Sequence, residues 1–300
     1  MIDVVCTAPP FLDLHIAGLD RLPRAGEELT GSELRLTPGG SATIAIGCAR
    51  LGLRTAICAP VPDDELGRVL ADLIEHRGVE WSGPTGGRCP VTVTVPVGSD
   101  RTMITYHPGA RPGMTSERRG ESRAWIADLE EFDGVDRTGR TYAVVGHEDA
   151  LALGSRWRSA AGGVTAVIAN RAEARSLTGR DIPAAAALTL SEAAETAVVT
   201  LGGDGCVAAS GGELITVPAH GVAVHDTTGA GDLFTAAYVW ADLAGLPLRT
   251  ALEHASLYAA LALESGTPVD AAPTLDRLLA QARQCGLAAP PTLGLEESIR

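Results

Sequence analysis

Short apolar runs typical of buried strands alternate along this chain with segments of helical period. Strands are predicted at residues 2–6, 55–59, 125–129, 142–146, 164–169 and 197–201, with a hairpin of residues 206–209 and 213–217. Helices are predicted at residues 42–51, 66–77, 172–177, 233–243, 250–263 and 275–285. The alternation predicts one α/β domain, residues 1–287, with a doubly wound, mainly parallel sheet flanked by helices.

Two stretches interrupt this alternation. Residues 12–36 and 89–107 alternate apolar and polar side chains with a period of two, and Gly98-Ser99-Asp100 is typical of a hairpin turn. We therefore expect a small antiparallel sheet, formed by roughly residues 11–37 and 88–108, that serves as a lid over a site, as a dimer surface, or as both. Residues 288–300, rich in Pro and Glu, are predicted to be a flexible tail.

The charge of the chain excludes several classes of partner. The formal net charge is -13, and the 24 basic residues are all Arg. An acidic chain without basic clusters is a poor ligand for nucleic acid or anionic membranes. The absence of Lys also excludes a Walker A phosphate loop, so a nucleotide phosphate must be held by backbone amides, Arg or a metal ion.

Cysteine and histidine spacing, together with the N-terminus, indicates a cytoplasmic protein without a structural metal. The six Cys residues form no Cys-x-x-Cys pair and mostly lie in apolar runs, as expected of buried thiols in a reducing compartment. The seven His residues form no His-x-x-x-His pair, which disfavours zinc. We find neither a basic N-terminal signal region nor an apolar run of membrane-spanning length.

The segment Asp226-Thr227-Thr228-Gly229-Ala230-Gly231-Asp232 carries the clearest chemical signal. It follows the extended residues 215–217 and 222–224 and opens a helix. The glycines allow several backbone N–H groups to converge on one anion, where the helix dipole adds positive potential. Thr228 or Asp226 would also suit an ordinary helix cap. The second carboxylate, Asp232, instead favours an anion hole beside a general base, as phosphoryl transfer requires.

Six motifs in order extend this interpretation. They are Asp13-Leu14 with Leu22-Pro23-Arg24-Ala25-Gly26-Glu27, Pro38-Gly39-Gly40-Ser41-Ala42-Thr43, Asp63-Asp64-Glu65-Leu66-Gly67, Asn170-Arg171-Ala172-Glu173, Thr200-Leu201-Gly202-Gly203-Asp204-Gly205 and the segment ending at Asp232. With these motifs the chain resembles the ribokinase-like sugar kinases, the PfkB carbohydrate kinase family, over nearly all of residues 2–285.

The resemblance implies phosphorylation of a hydroxyl group on a sugar or nucleoside by ATP and Mg²⁺. It implies a base at Asp232 and an anion hole at Gly229, Ala230 and Gly231. The implied substrate-binding residues are Asp13, Gly39, Gly40 and Thr43. Those implied for the nucleotide are Asn170, Thr200, Gly202, Gly205 and Ser256. The residue implied for Mg²⁺ is Glu173. The residues implied for a further, monovalent ion, K⁺, are Asp226 and Thr228.

Each of these residue types also has a structural explanation. Asp13 suits a solvated turn, and Asn170 with Glu173 suits a helix capping box. Gly39 and Gly40 suit a tight turn as well as a close backbone approach to a sugar. Hairpin geometry would use Gly202 and Gly205, and a cap and a turn would use Thr228 and Asp226. His107 is expected on the lid surface, and His147 and Trp157 are expected to pack.

Departures from the family pattern reduce the range of acceptor substrates that we expect. Thr43 stands where Asn is usual, Ser41 replaces a Lys, and His147 replaces Asp or Asn. These changes disfavour D-ribose. We expect a sugar or sugar acid as acceptor, with a nucleoside kinase and a non-catalytic sugar- or nucleotide-binding sensor as alternatives. The exposed edges of the lid predict a homodimer.

Overall fold

Thirteen strands and ten α-helices make up a computed structural model that describes residues 2–97, 100–108, 122–133, 139–221, 229–264 and 268–288. The strands, in chain order, are β1 Ile2–Cys6, β2 Pro10–Ala17, β3 Glu33–Gly40, β4 Thr55–Cys58, β5 Glu80–Ser82, β6 Val91–Val97, β7 Asp100–Tyr106, β8 Ser122–Asp128, β9 Arg140–Val144, β10 Ala166–Asn170, β11 Thr196–Thr200, β12 Cys206–Ser210 and β13 Glu213–Val217.

The helices begin where capping chemistry allows. They are α1 Ser41–Arg50, α2 Glu65–Glu75, α3 His147–Leu153, α4 Trp157–Ala161, α5 Arg171–Thr178, α6 Pro183–Leu190, α7 Ala230–Leu243, α8 Leu248–Leu263, α9 Pro268–Ala271 and α10 Leu275–Gln284. The carboxylate of Asp64 caps α2 by accepting from the Gly67 N–H at 2.8 Å, and Thr274 caps α10 in the same way.

The main sheet has nine strands in the order β13-β12-β11-β10-β9-β8-β1-β4-β5. In this sheet order, the seven strands from β11 across to β5 run parallel to one another. The strands β12 and β13 pair antiparallel at the β11 edge. The chain starts at β1, moves outward to β4 and β5, and then returns to β8 on the other side of β1. A crevice therefore forms at the carboxyl ends of β1 and β8, where open α/β sheets bind ligands.

Helices cover both faces of this sheet. Alternate residues of β8 serve the two layers: Ile126 packs on the face covered by α1, α7 and α8, and Trp125 and Ala127 pack on the face covered by α3 to α6. The helices α1 and α7 approach closely at Gly47, where a Cβ would lie 2.7 Å from the Cβ of Ala236. This contact fixes the position of α7, whose first turn contains Asp232.

A separate four-stranded sheet, in the order β3-β2-β6-β7, forms the lid. It is formed by the two predicted segments, but the prediction of an antiparallel sheet is wrong at its centre: β2 and β6 pair in parallel, because the chain crosses over through α1, β4, α2 and β5 between them. The strand β3 extends to Gly40. Gly39 and Gly40 pair across the sheet with Phe11 and Pro10. The expectation of a tight turn at these glycines is therefore wrong, because they form the last ladder positions of a strand that leads directly into α1.

The fold confirms the predicted α/β class and extends the list of elements. The helices α3, α4, α6 and α9 and the three-residue strand β5 were not predicted. Trp157 packs as expected, with 4% of its surface exposed, and four of the six Cys residues are buried. His107 is half-buried, with its ring 5.6 Å from that of Phe11, rather than a surface residue. Within the described ranges, no helix combines the length and apolarity needed to span a bilayer.

Several predictions lie outside the described residues. They concern the extended segment 222–224, Asp226 and Thr228, the turn residues Gly98 and Ser99, and the tail from residue 289. His147 begins α3, and its side chain is not described.

Candidate active site

The larger of two neighbouring cavities lies at the crevice between sheet and lid. It measures about 290 Å³. The carboxyl ends of β1, β8 and β9 form its floor, and the bases of β2 and β3 form its wall. Its lining consists of Cys6, Ala8, Pro9, Phe11, Gly40, Ser41, Ile44, Ile126, Ala127, Asp128, Val144, Val145, Gly146, Glu173 and Asp232.

The smaller cavity lies beside it, at the carboxyl ends of β9, β10 and β11. It measures about 200 Å³ and reaches the first turn of α7. Its lining consists of Val144, Val145, Ile168, Ala169, Asn170, Glu173, Thr200, Gly229, Gly231, Asp232 and Thr235. Asp232 and Glu173 line both cavities, so a carboxylate stands where a molecule in one would meet a molecule in the other.

The first turn of α7 supplies the backbone of this junction. Gly229 is the N-cap residue and has φ 77°, a conformation that a residue with a side chain rarely adopts. The N–H groups that follow belong to the first turn of a helix, so they have no partner within it. The helix dipole adds to their positive potential, and the start of α7 is thus suited to hold an anion.

Gly231, unlike Gly229, has no backbone conformation that favours glycine. It has no positive φ, and a Cβ would meet no atom of the described residues within 4 Å. Gly in a helix is less favourable than Ala by about 0.8–1.0 kcal/mol. Because no atom of the described residues requires Gly at this position, the open space on its surface leaves room for the close approach of a ligand.

Asp13 lies at the edge of the same site. Its carboxylate packs over Gly39, where a Cβ would be 2.0 Å from Asp13 Oδ2. Asp13 does not line either cavity in the structure, but its charge acts on Asp232. A strand residue on the lid and a helix residue on the main domain thus share one electrostatic environment.

Burial, followed by the nearby carboxylates of Asp13 and Glu173, raises the pKa of Asp232 to about 7. Burial also raises the pKa of Asp13 to about 7, although a hydrogen bond from Thr92 favours its ionised form. A carboxylate with a pKa near neutrality can accept a proton from a reacting group and release it again at physiological pH.

Asn170 and Glu173 form a complete capping box at the start of α5. Asn170 Oδ1 accepts from the N–H of Glu173 at 3.0 Å, and Glu173 Oε2 accepts from the N–H of Asn170 at 2.7 Å. The structural explanation is therefore confirmed. It is compatible with a role in the site, because both side chains line the smaller cavity and Glu173 also lines the larger one.

The structure gathers some of the predicted site residues and separates others. Asp232, Gly229, Gly231, Asn170, Glu173 and Thr200 meet at the smaller cavity, and Gly40 joins Asp232 and Glu173 at the larger one. Ala230 lies in the same turn of α7 without lining either cavity.

Besides Asp13, five predicted binding residues do not line these cavities: Gly39, Thr43, Gly202, Gly205 and Ser256. Thr43 is 2% exposed, and its hydroxyl is 3.5 Å from the carbonyl of Pro38. Ser256 donates to the carbonyl of Pro218 at 3.4 Å. Gly202 and Gly205 lie in the turn between β11 and β12 with positive φ, and a Cβ at Gly205 would be 2.1 Å from the Val217 carbonyl oxygen. The binding roles of these residues stay predictions.

Most residues that line the larger cavity were not among the predicted site residues, and two of them, Asp128 and Phe11, have side chains suited to contact a substrate. Asp128 ends β8, and Phe11 stands near the base of β2. A signal for Asp128 was present, because a polar residue at the carboxyl end of a parallel strand faces the binding crevice of such a sheet. Phe11 gave none, since an aromatic residue in an alternating strand is more often core.

Among the described residues, no group of three or more His, Cys, Asp or Glu side chains is arranged to hold a metal ion. The carboxylates at the junction nevertheless suit a cation that brings its other ligands with it. Mg²⁺ is usually held by one or two carboxylates together with water and substrate phosphates. Glu173, which lines both cavities, is the residue that fits this arrangement.

Solved structures with the same architecture include two kinases that act on different acceptors. Adenosine kinase from Sinorhizobium meliloti superposes with a TM-score of 0.75 at 24% identity, over 95% of this chain and 99% of that chain. Ribokinase from Arabidopsis thaliana, complexed with ribose and ATP, superposes with a TM-score of 0.75 at 18% identity, over 93% of this chain and 98% of that one.

Sequence comparison also relates this chain to sugar kinases. Ribokinase from Mus musculus is 27% identical over 275 residues, which cover 82% of this chain and 84% of the mouse protein. The sequence profile described as pfkB family carbohydrate kinase matches residues 11–131 and 150–275, most of the chain. With the two-sheet fold and a carboxylate at the junction of two cavities, the match shows that this chain belongs to the pfkB family of carbohydrate kinases.

Proposed function

We propose that this protein transfers the γ-phosphoryl group of ATP to a hydroxyl group of a small sugar or sugar acid. The observation that carries the proposal is the position of Asp232, which lines both cavities at the start of α7. The smaller cavity takes the phosphates of the donor, and the larger one takes the acceptor. The reacting hydroxyl then lies beside Asp232.

The proposed reaction uses residues of this chain at each step. Asp232 accepts the proton of the acceptor hydroxyl, the hydroxyl oxygen forms a bond to the γ-phosphorus, and the bond from that phosphorus to the β–γ bridging oxygen breaks as ADP leaves. The N–H groups after Gly229 stabilise negative charge on the transferring group. A positioned base contributes roughly 10²–10⁴ in rate, and phosphoryl transfer otherwise depends on alignment and charge neutralisation.

Magnesium enters this proposal together with ATP. When bound, Mg²⁺ neutralises charge on the phosphates. Glu173 would hold it, and Asn170 orients that carboxylate through the hydrogen bonds of the capping box. Asp226 and Thr228 stay predictions as ligands of a monovalent ion such as K⁺.

A sugar or sugar acid is the acceptor class that Asp13 and Asp128 support. Both are carboxylates near the larger cavity, and carboxylates accept hydrogen bonds from sugar hydroxyls. Asp13 is carried by the lid, so its contact with an acceptor is linked to the position of the lid. Gly40 adds backbone without a side chain to the same wall.

A nucleoside is the second candidate acceptor, and the apolar lining of the larger cavity favours it. Phe11, Ile44, Ile126, Val144 and Val145 all line this cavity. A sugar alone presents hydroxyl groups in nearly every direction, whereas a nucleoside also brings a flat base that apolar side chains cover well. Adenosine kinase from Sinorhizobium meliloti shows that the same fold serves such an acceptor.

The function is tested by measuring ADP release from ATP and Mg²⁺ against a panel of sugars, sugar acids and nucleosides. We expect one acceptor class to stimulate release strongly above the rate with water. Stimulation by nucleosides alone would select the second candidate. If ATP and a sugar each raise the melting temperature but no acceptor stimulates release, the protein is a sensor and the proposal is wrong.

We further propose that two copies associate through their lids. Leu36, Leu14, Val93 and Ile104 follow one another across the four strands of the lid, because each is paired with the next in register. They therefore lie on one face of the sheet. Ile104 is 70% exposed and Leu36 is 38% exposed, so a second copy would bury apolar surface here.

Light scattering of an Ile104→Glu variant tests the dimer. We expect a dimer for the unmodified protein and a monomer for the variant. Leu214→Glu is the matched control, because Leu214 is 45% exposed on β13, outside the lid. A monomeric unmodified protein, or a variant that dimerises as well as the control, would contradict the proposal.

A further inference from the structure

A third cavity, about 360 Å³, lies apart from the two that meet at Asp232. It is formed where the lid strand β3 faces α9, the start of α10 and the end of α1. It shares no lining residue with the other two cavities, and its size is within the range of small-molecule sites. Nothing in the proposed phosphoryl transfer uses it.

Three arginine residues line this cavity. Arg35 is in β3, Arg50 ends α1, and Arg277 lies in the first turn of α10. The concentration of positive charge contrasts with the chain as a whole, whose net charge is -13. The one carboxylate in the lining, Asp270, accepts a hydrogen bond from Arg77 Nη2, so it brings a fourth guanidinium close to the cavity.

Two of the three arginines in the lining have carboxylates close by, and the third has none among the described residues. Glu33 accepts from Arg35 at 2.5 Å, and Glu264 lies 3.6 Å from Arg277, both in exposed pairs that contribute little. Within the described part of the chain, Arg50 has no carboxylate within 4.0 Å. Its place at the end of α1 suits the dipole of that helix. The dipole does not explain why its side chain shares a cavity with Arg35 and Arg277.

The start of α10 adds a second kind of anion donor. Thr274, the N-cap residue of this ten-residue helix, lines the cavity. Its hydroxyl accepts from the N–H of Arg277 at 3.4 Å, and the first N–H groups of a helix have no partner within it. Arginine side chains converging on a helix N-terminus are the usual surroundings of a bound phosphate.

We propose that this cavity binds a phosphate group, either as inorganic phosphate or as part of a small phosphorylated metabolite. The bound group accepts hydrogen bonds from Arg50 and Arg277 and from the start of α10. Arg35 reaches it from the lid, so binding joins the lid to the main domain. The site is separate from the anion hole at Gly229, and the inference does not depend on the proposed function.

Calorimetric titration of the full chain with inorganic phosphate, at constant ionic strength, tests this site. We expect Arg50→Gln and Arg277→Gln each to weaken phosphate binding by about tenfold or more. Arg180→Gln is the matched control, because Arg180 is exposed after α5 and outside the cavity. Both Arg50 and Arg277 are exposed, so the variants are expected to fold, which circular dichroism checks; either variant alone carries the test.

Two results would overturn the proposal. Phosphate binding that is equal in the unmodified protein and in both cavity variants would assign the phosphate to the start of α7 instead. No binding of inorganic phosphate or of a sugar phosphate would remove the site altogether. A sugar phosphate that binds more tightly than inorganic phosphate, with the same dependence on Arg50 and Arg277, would support the site and identify a metabolite as its ligand.

Discussion

The carboxylate of Asp13 lies so close to Gly39 that a Cβ at this glycine would be 2.0 Å from Asp13 Oδ2. Both residues belong to the lid, on the adjacent strands β2 and β3. The missing side chain of Gly39 therefore decides where the carboxylate rests. Because Asp13 raises the pKa of Asp232, this packing also influences the electrostatics of the junction.

Gly39→Ala should displace the Asp13 carboxylate while the protein stays folded. The atoms that a Cβ would meet belong to the Asp13 side chain, which can move, and not to backbone. We expect the KM for the acceptor to rise about tenfold or more, since a charged hydrogen bond is lost, with little change in melting temperature. Gly162→Ala, remote from the site, is the control. An unchanged KM in Gly39→Ala would separate Asp13 from acceptor binding.

Gly231→Ala should separate stability from activity. A Cβ at Gly231 meets no atom of the described part of the chain within 4 Å, and Ala favours a helix over Gly by about 0.8–1.0 kcal/mol. We therefore expect an equal or higher melting temperature, together with a fall in kcat of about 10²-fold, as when an oxyanion donor is lost. Thermal unfolding and steady-state kinetics on one preparation check both. Full activity in Gly231→Ala would show that no ligand approaches this residue.

The rate should depend on pH through Asp232. Its pKa is raised to about 7, and a general base acts only when ionised. We expect kcat/KM to fall roughly tenfold per pH unit below about pH 7 and to level off above it. A profile that is flat between pH 5 and 8 would mean that no carboxylate with a raised pKa takes part in the reaction.

Asp232→Asn should stabilise the protein in a pH-dependent manner. The folded-state pKa of Asp232 is raised above the unfolded value, so the folded state binds more protons and the ionised carboxylate opposes folding. The free energy of unfolding gained by the variant should grow from about pH 4 to about pH 7 and be constant above. Denaturant unfolding at pH 4.5 and pH 8 checks this. A variant less stable at pH 8 would indicate that the carboxylate is structurally required.

Much of the fold followed from periodicity in the sequence, and the failures have physical causes. Apart from β5, the parallel strands of the main sheet are buried apolar runs and were found. The helix α6 was missed because Pro183-Ala-Ala-Ala-Ala-Leu-Thr-Leu190 contains almost no polar residue, so no amphipathic period marks it. The strand β5 has three residues, too few for a pattern.

The site residues that lie in short sequence motifs were predictable. Contacts between residues that are distant in sequence were not. Asp232 and Glu173 were found from local motifs, and the structure places both at the junction of the cavities. The packing of Asp13 on Gly39 depends on the register of two strands, which the sequence does not contain. The third cavity was missed for the same reason: Arg35, Arg50 and Arg277 are distant in sequence and meet only in the folded chain.

The most direct test of the catalytic assignment is acceptor-stimulated ADP release by Asp232→Asn, with Asp276→Asn as the matched control in the first turn of α10. The account predicts that Asp232→Asn binds ATP and the acceptor but loses about 10²–10⁴ in kcat, whereas the control keeps full activity. Turnover within a few-fold of the unmodified protein would contradict the assignment of Asp232 as the base.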